Sequence, residues 1–244
     1  IEMEINLTNK AVFVLHVKKG YEDREQHIKA MLQAMNIPFS WILDGDITDL
    51  TPEILDKYFA GDMHKAGATA SCAYKHVLAC KEIIAKNLDG ALILEDDIQL
   101  DPRLFIGIFN KSLTELNSEE QEPSIISYED TRLRFVPRSK RVGGKVLYPG
   151  DRDRMAGAYY INKKGAELII NELEKQAMDI PVDWYHAKLL HENKLKYYWC
   201  QPTIATQGSH IGTFKSSISI KDNLWITLKW RFKRFYKKWL YELR

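Results

Sequence analysis

Cysteine is scarce in this 244-residue chain. Cys72, Cys80 and Cys200 form an odd set with no CxxC pair. That argues against a disulfide framework and against a thiolate zinc site of the usual spacing, and it suits a reducing compartment. Long apolar runs are missing too: no stretch of about 18 or more residues could span a bilayer. The start carries no leader pattern, and Ile1 reads as a trimmed end with Met3 as the candidate beginning. Neither GxGxxG nor GxxxxGK[ST] occurs, which disfavours a Rossmann dehydrogenase and a P-loop nucleotidase. No internal repeat and no RNA- or DNA-binding motif is visible, so nucleic acid is not an expected partner.

What is present is a 45% apolar chain with a formal net charge of only +2. The charge is unevenly spread. Residues 224–244 hold seven Lys/Arg against Glu242 alone, so the body before them is net acidic. In 223–244, Leu224, Trp225, Leu228, Phe232, Phe235, Tyr236, Trp239, Leu240 and Leu243 fall at helical spacing among basic residues. This pattern predicts an amphipathic C-terminal helix suited to an anionic membrane surface, or one packed on its own domain. Residues 1–222 read as one domain.

Within it, Ala11–Val17 is a buried strand, Glu22–Met35 a helix and Phe39–Leu43 a second strand, together a βαβ unit. Helices follow over Glu53–Tyr58 and Gly67–Lys86. A further helix (Arg103–Leu116), a strand (Ser124–Tyr128), another strand (Ala156–Ile161), two helices (Ala166–Lys175 and Pro181–Glu192) and a last strand (Leu195–Cys200) complete an α/β pattern. Thr131–Arg154 carries eight Lys/Arg and two Asp. It reads as a long basic loop with a hairpin of Arg134–Val136 against Val146–Tyr148. Thr206–Ser219 reads as a closing loop.

The chemistry concentrates in Ala91–Asp101, ALILEDDIQLD. Four apolar residues run into Glu95, Asp96 and Asp97. Three adjacent carboxylates at a strand end repel one another unless a cation sits there. Hard divalent ions take oxygen ligands and bridge to phosphates, and open α/β sheets bind ligands beyond the carboxyl ends of their strands. A metal–diphosphate site is the functional reading; a solvated acidic turn is the plain one.

Four segments then resemble glycosyltransferase family 25, the lipooligosaccharide galactosyltransferase type. They are VFVLHVKKGYEDREQHIKAMLQAMNIPFSWILDGD, SCAYKHVLACKEII followed by ALILEDDIQL, AGAYYINKKGAELI, and PVDWY ahead of KYYWCQPTIATQ. The chain departs from the family pattern at His16, Ser71 and Lys75. The resemblance implies a GT-A fold, a Rossmann-like mostly parallel sheet flanked by helices. It also implies an inverting transferase that uses a UDP-sugar, most often UDP-galactose, and Mn²⁺ or Mg²⁺.

On that resemblance Asp97 is the principal metal ligand, with Glu95 or Asp96 facing the ribose or a metal-bound water. His210 is a candidate third ligand and Lys215 a candidate diphosphate partner. His16, Val17, Arg24 and Asp44 fall near uridine and ribose, with Lys75 and His76 one helix away. Asp183, behind Pro181, matches the family's P-x-D position and is the candidate general base; it would equally serve as a first-turn helix acid. Arg132, Arg134 and Arg154 are candidate contacts for an acidic, lipid-linked core saccharide of lipopolysaccharide. The expected place of action is the cytoplasmic face of the bacterial inner membrane. A different donor, UDP-glucose or an amino sugar, and a non-catalytic binder of anionic lipid or nucleic acid are the alternatives.

Overall fold

The computed structural model describes residues 4–117, 122–209 and 224–237. In chain order the elements are β1 (Lys10–Leu15), α1 (Glu22–Ala34), β2 (Ser40–Ile42), α2 (Pro52–Tyr58), α3 (Ala68–Ala85), β3 (Gly90–Glu95), β4 (Ile98–Leu100) and α4 (Phe105–Asn117). Then come β5 (Ser124–Ser127), β6 (Leu147–Pro149), β7 (Ala158–Asn162), α5 (Lys163–Lys175), α6 (Val182–His191), β8 (Lys196–Cys200), β9 (Ala205–Gln207) and α7 (Leu224–Phe235). The central sheet has the order β2-β1-β3-β7-β5-β8-β6. All its strands share one direction except β7 and β6, so it is mostly parallel, as the strand–helix alternation predicts.

Side chains of a strand alternate between faces, and the two cores follow that alternation. Phe13, Leu15, Ala91 and Ile93 join a cluster with α3 (Ala73, Val77), α5 (Ile169) and α6 (Tyr185). Val12, Val14, Leu92 and Leu94 join the opposite one, with α1 (Ile28, Leu32) and α4 (Phe105, Phe109). Helix starts are set locally. Thr51 accepts a hydrogen bond from Ile54 N and Pro52 occupies the first turn of α2. Asn162 caps α5 by accepting from Gly165 N. Helix α1 has no side-chain cap, but Glu22, Asp23 and Glu25 place negative charge at its positive end.

Two expectations are corrected. Strand β3 ends at Glu95, Asp96–Asp97 turn, and β4 leaves the main sheet. Its partner is β9, in antiparallel register Ile98↔Gln207, inside what reads as a loop. The hairpin of Arg134–Val136 against Val146–Tyr148 does not form. The free edge of β8 supplies the ladder instead, pairing Leu147 with Cys200 and Tyr148 with Trp199.

Helix α7 meets the body through polar contacts. Arg234 Nε and Nη2 donate to Asp130 Oδ2 at 2.8 and 2.6 Å, and Trp230 Nε1 donates to Thr131 O at 3.0 Å. Asp130 is fully buried and also accepts from Thr206 Oγ1 at 2.7 Å. Among the described residues no helix is long and apolar enough to cross a membrane.

Candidate active site

The parity of β3 separates its terminal carboxylates. Glu95 follows Ala91 and Ile93 to the α3–α6 side; Asp96 follows Leu92 and Leu94 to the α1 side. There Asp96 is fully engaged. His16 Nδ1 lies 2.7 Å from Asp96 Oδ2, and Arg24 Nη1 donates to Oδ1 at 2.9 Å. All three residues are buried. His16 and Arg24 thus tie the end of β1 and the start of α1 to the β3 turn, and Asp96 is a brace. Val17 follows at the end of β1, partly exposed.

Asp97 differs. Its Oδ2 accepts from Ser209 N at 3.2 Å and its backbone carbonyl from Gly208 N at 2.7 Å. Its Oδ1 is buried and has no hydrogen-bond partner among the described residues. A buried, unsatisfied carboxylate oxygen is costly unless something outside the chain meets it.

Glu95 sits beside it. Gln207 Nε2 donates to Oε2 at 3.0 Å; Cys72 Sγ lies 3.7 Å and His76 Nε2 3.5 Å from Oε1. Burial, with the charges of Asp97 and Asp96 added, pushes the Glu95 carboxyl up to about 8. The unmet oxygen on Asp97 and the strained ionisation of Glu95 both fit a hard divalent cation, whose preferred ligands are carboxylate oxygens.

Asp183 stands in the first turn of α6, buried, close enough for its charge to act on Cys72, His76 and Glu95. Arg132 Nη2 donates to Asp183 Oδ2 at 2.6 Å, while Arg132 Nε lies 3.2 Å from Asp153 Oδ2. Arg134 also pairs with Asp153, through its side chain and its backbone carbonyl. The basic loop therefore turns two arginines inward to orient acids. Arg154 is not available to a saccharide: it is fully buried, stacked over Trp199, and donates to Cys200 O.

The segment 129–132 is pinned from several sides. Glu129, fully buried, accepts from Gly157 N, Ala158 N and Thr131 Oγ1. Gly157 has no room for a side chain: a Cβ there would stand 2.5 Å from Gln207 Nε2. The close approach lets Gln207 reach Glu95.

These groups converge at the carboxyl ends of β1 and β3 and the amino end of α6: an acid with one oxygen unmet among the described residues, a second acid beside it, and a third held by arginine. The sequence profile of glycosyltransferase family 25 (LPS biosynthesis protein) matches residues 10–186, close to three quarters of the chain. The chain belongs to glycosyltransferase family 25. A search of curated proteins finds no match. The family-25 segment runs from β1 to just past Asp183, so Gln207 and α7 lie beyond it.

Other donor-side candidates of this family-25 chain are placed as follows. Lys75 is buried and donates to Leu43 O and Asp44 O at 2.7 and 3.1 Å, besides its pair with Asp46 at 2.8 Å. It holds the loop after β2. The Asp44 side chain projects to solvent and pairs with Lys18 at 3.0 Å. His76 is buried against Tyr159, whose hydroxyl lies 2.9 Å from Nδ1. His210 and Lys215 lie outside the described residues. Sequence reasoning misses Gln207, Asp153 and Cys72 as site residues. The parity of β3 and the i, i+4 spacing of Cys72 and His76 were the available signals for Cys72.

His186, one turn beyond Asp183, is buried edge-on to Tyr159, and burial pushes its imidazole down to about 3. Its neutral form is favoured by folding. Its stabilising contribution is whole above the unfolded value near 6.5 and is lost as pH falls toward about 3. At pH 5 the loss is about 2 kcal/mol, at 1.36 kcal/mol per pH unit. His186→Phe is expected to flatten the acid limb of the melting temperature against pH; an unaltered limb would assign the acid sensitivity elsewhere.

Proposed function

We propose that this family-25 glycosyltransferase moves a hexose, galactose from UDP-galactose in the first instance, onto a lipid-linked core saccharide of lipopolysaccharide, with inversion. The observation that carries the proposal is the buried Asp97 Oδ1, without a hydrogen-bond partner among the described residues, beside Glu95 at the carboxyl end of a central strand. In this reading the sheet and its helices are a GT-A fold. The nucleotide lies over the ends of β1, β2 and β3. Asp97 and Glu95 would hold Mn²⁺ or Mg²⁺, which when bound neutralises the negative charge of the departing diphosphate.

The chain's own residues do the rest. Asp183 takes the proton from the acceptor hydroxyl as that oxygen attacks the anomeric carbon and the bond to the diphosphate breaks. Arg132, anchored on Asp153, sets the angle of the Asp183 carboxylate. The His16–Asp96–Arg24 brace fixes the turn that carries Asp97, and the Gln207 amide fixes Glu95.

The test is a panel of UDP-galactose, UDP-glucose and UDP-N-acetylamino sugars scored by melting temperature with Mn²⁺ and with EDTA. One nucleotide sugar is expected to raise the melting temperature only when the ion is present, since a ligand of the folded state alone stabilises it. No metal-dependent rise with any of them would overturn the reading.

The proposal extends to α7. Leu228, Phe232 and Phe235 are 51%, 70% and 56% exposed, at i, i+4 and i+7, with Lys229, Arg231 and Lys233 around them. Such a face suits an anionic bilayer surface, here the cytoplasmic face of the inner membrane. Replacing all three apolar residues by Ser is expected to cut co-flotation with anionic vesicles by about tenfold or more, at about 1.4 kcal/mol per tenfold, while transfer to a soluble acceptor persists. Undiminished flotation would remove the membrane role.

A further inference from the structure

Two side chains beside the acids, Cys72 and His76, have no part in the proposed reaction. Cys72 and His76 stand one turn apart on α3 and project toward Glu95 on β3. Their ligand atoms, with a Glu95 oxygen, all lie within 4.8 Å of one another. His76 Nε2 is buried and has no hydrogen-bond partner among the described residues, although its other ring nitrogen is held by the Tyr159 hydroxyl. An imidazole fixed through one nitrogen, with the other bare and aimed at a thiol and a carboxylate, is the usual outer-shell arrangement of a metal-binding histidine.

The geometry points to a tetrahedral site for zinc or a similar borderline-soft cation at Cys72, His76 and Glu95, which shares Glu95 with the proposed hard-ion position of Asp97 and Glu95. Ligand atoms bound to one tetrahedral zinc at about 2.0–2.3 Å stand about 3.3–3.6 Å from each other. The His76–Glu95 and Cys72–Glu95 separations are 3.5 and 3.7 Å. Closing a set whose ligand atoms already lie within 4.8 Å of one another takes side-chain rotation alone, and Cys72 is partly exposed.

The donor set, one sulfur, one nitrogen and one oxygen, favours zinc over manganese or magnesium, and three protein ligands leave a fourth position open to water. Binding deprotonates the thiol and releases that proton to solvent. The absence of CxxC in the sequence hides such a site, because its third ligand comes from the strand opposite. The ion would also take the Glu95 oxygen nearest Cys72. This part rests on the proposed role of Glu95 in transfer: zinc at Cys72–His76–Glu95 would be inhibitory.

Cobalt(II) is the probe, because thiolate ligation gives an intense charge-transfer band and tetrahedral geometry gives strong visible bands that an all-oxygen octahedral site lacks. The full chain, reduced and metal-free, is titrated with Co²⁺. One equivalent is expected to produce both features, and Zn²⁺ to bleach them. Cys72→Ser should lose the charge-transfer band, and His76→Gln should weaken binding at least tenfold. Asp97→Asn should keep the spectrum. The serine variant is near-isosteric, and a melting curve verifies that it folds. A wild-type spectrum without a thiolate band, or a band that survives in Cys72→Ser, overturns the site. Zinc inhibition is read separately, as the ratio of transfer with and without Zn²⁺ within each variant. It should fall in the wild type and stay near one in Cys72→Ser. If no nucleotide sugar proves to be a substrate, the proposed reaction fails while the cobalt spectrum still decides the metal site.

Discussion

Asp97→Asn is expected to abolish divalent-ion-dependent transfer, lowering kcat by about 10³-fold or more. The carboxamide keeps an oxygen for Ser209 N, which donates to Asp97 Oδ2 at 3.2 Å, so the turn after β3 should persist. What it removes is the negative charge on the oxygen that no described residue satisfies. Charge stabilisation of a leaving diphosphate by a bound ion is worth several kcal/mol, and each 1.36 kcal/mol is about tenfold in rate. The measurement is initial rate at saturating donor over a Mn²⁺ series, with the melting temperature of the metal-free variant as the folding check. Because an unmet buried charge is removed, the metal-free variant should melt no lower than wild type. Metal-dependent turnover at wild-type rates would place the ion elsewhere.

Asp183→Asn should lower kcat by about 10²- to 10⁴-fold, the range general-base catalysis supplies, while leaving metal-dependent donor binding intact. The amide oxygen can still accept from Arg132 Nη2, now 2.6 Å from Asp183 Oδ2, so α6 keeps its anchor. Donor affinity, read as the melting-temperature rise with UDP-sugar and Mn²⁺, separates this variant from Asp97→Asn, which should lose it. Arg132→Lys is expected to fall between the two enzymes in kcat. A lysine cannot bridge Asp183 and Asp153 with the fixed planar fork of a guanidinium. Retention of kcat in Asp183→Asn would make this carboxylate a helix-start residue and nothing more.

The buried runs at Ala91–Leu94 and Val12–Leu15 were legible because a strand covered on both faces leaves no polar position in its middle. The helix of Cys72 and His76 was legible from its apolar spacing. Division of labour among Glu95, Asp96 and Asp97 was not: as letters they are equivalent, and only the pleat and the turn after β3 send them to α3, to α1 and to Ser209. The inward turn of Arg132 and Arg134 was hidden because their partners, Asp153 and Asp183, lie about 20 and 50 positions further on. Ribbon β4–β9 joins segments a hundred residues apart, each three residues long, too short for any periodicity to register.

The bond between Arg234 and Asp130 has a practical consequence. Shortening the chain ahead of α7 would leave a fully buried carboxylate with its guanidinium gone, a kind of loss that costs about 3 kcal/mol or more for wholly buried pairs and less where, as here, the arginine is partly open. That carboxylate is one residue from Thr131 and two from Arg132. A truncated chain is therefore expected to lose activity through a loosened 129–132 segment, a defect distinct from loss of the proposed membrane contact.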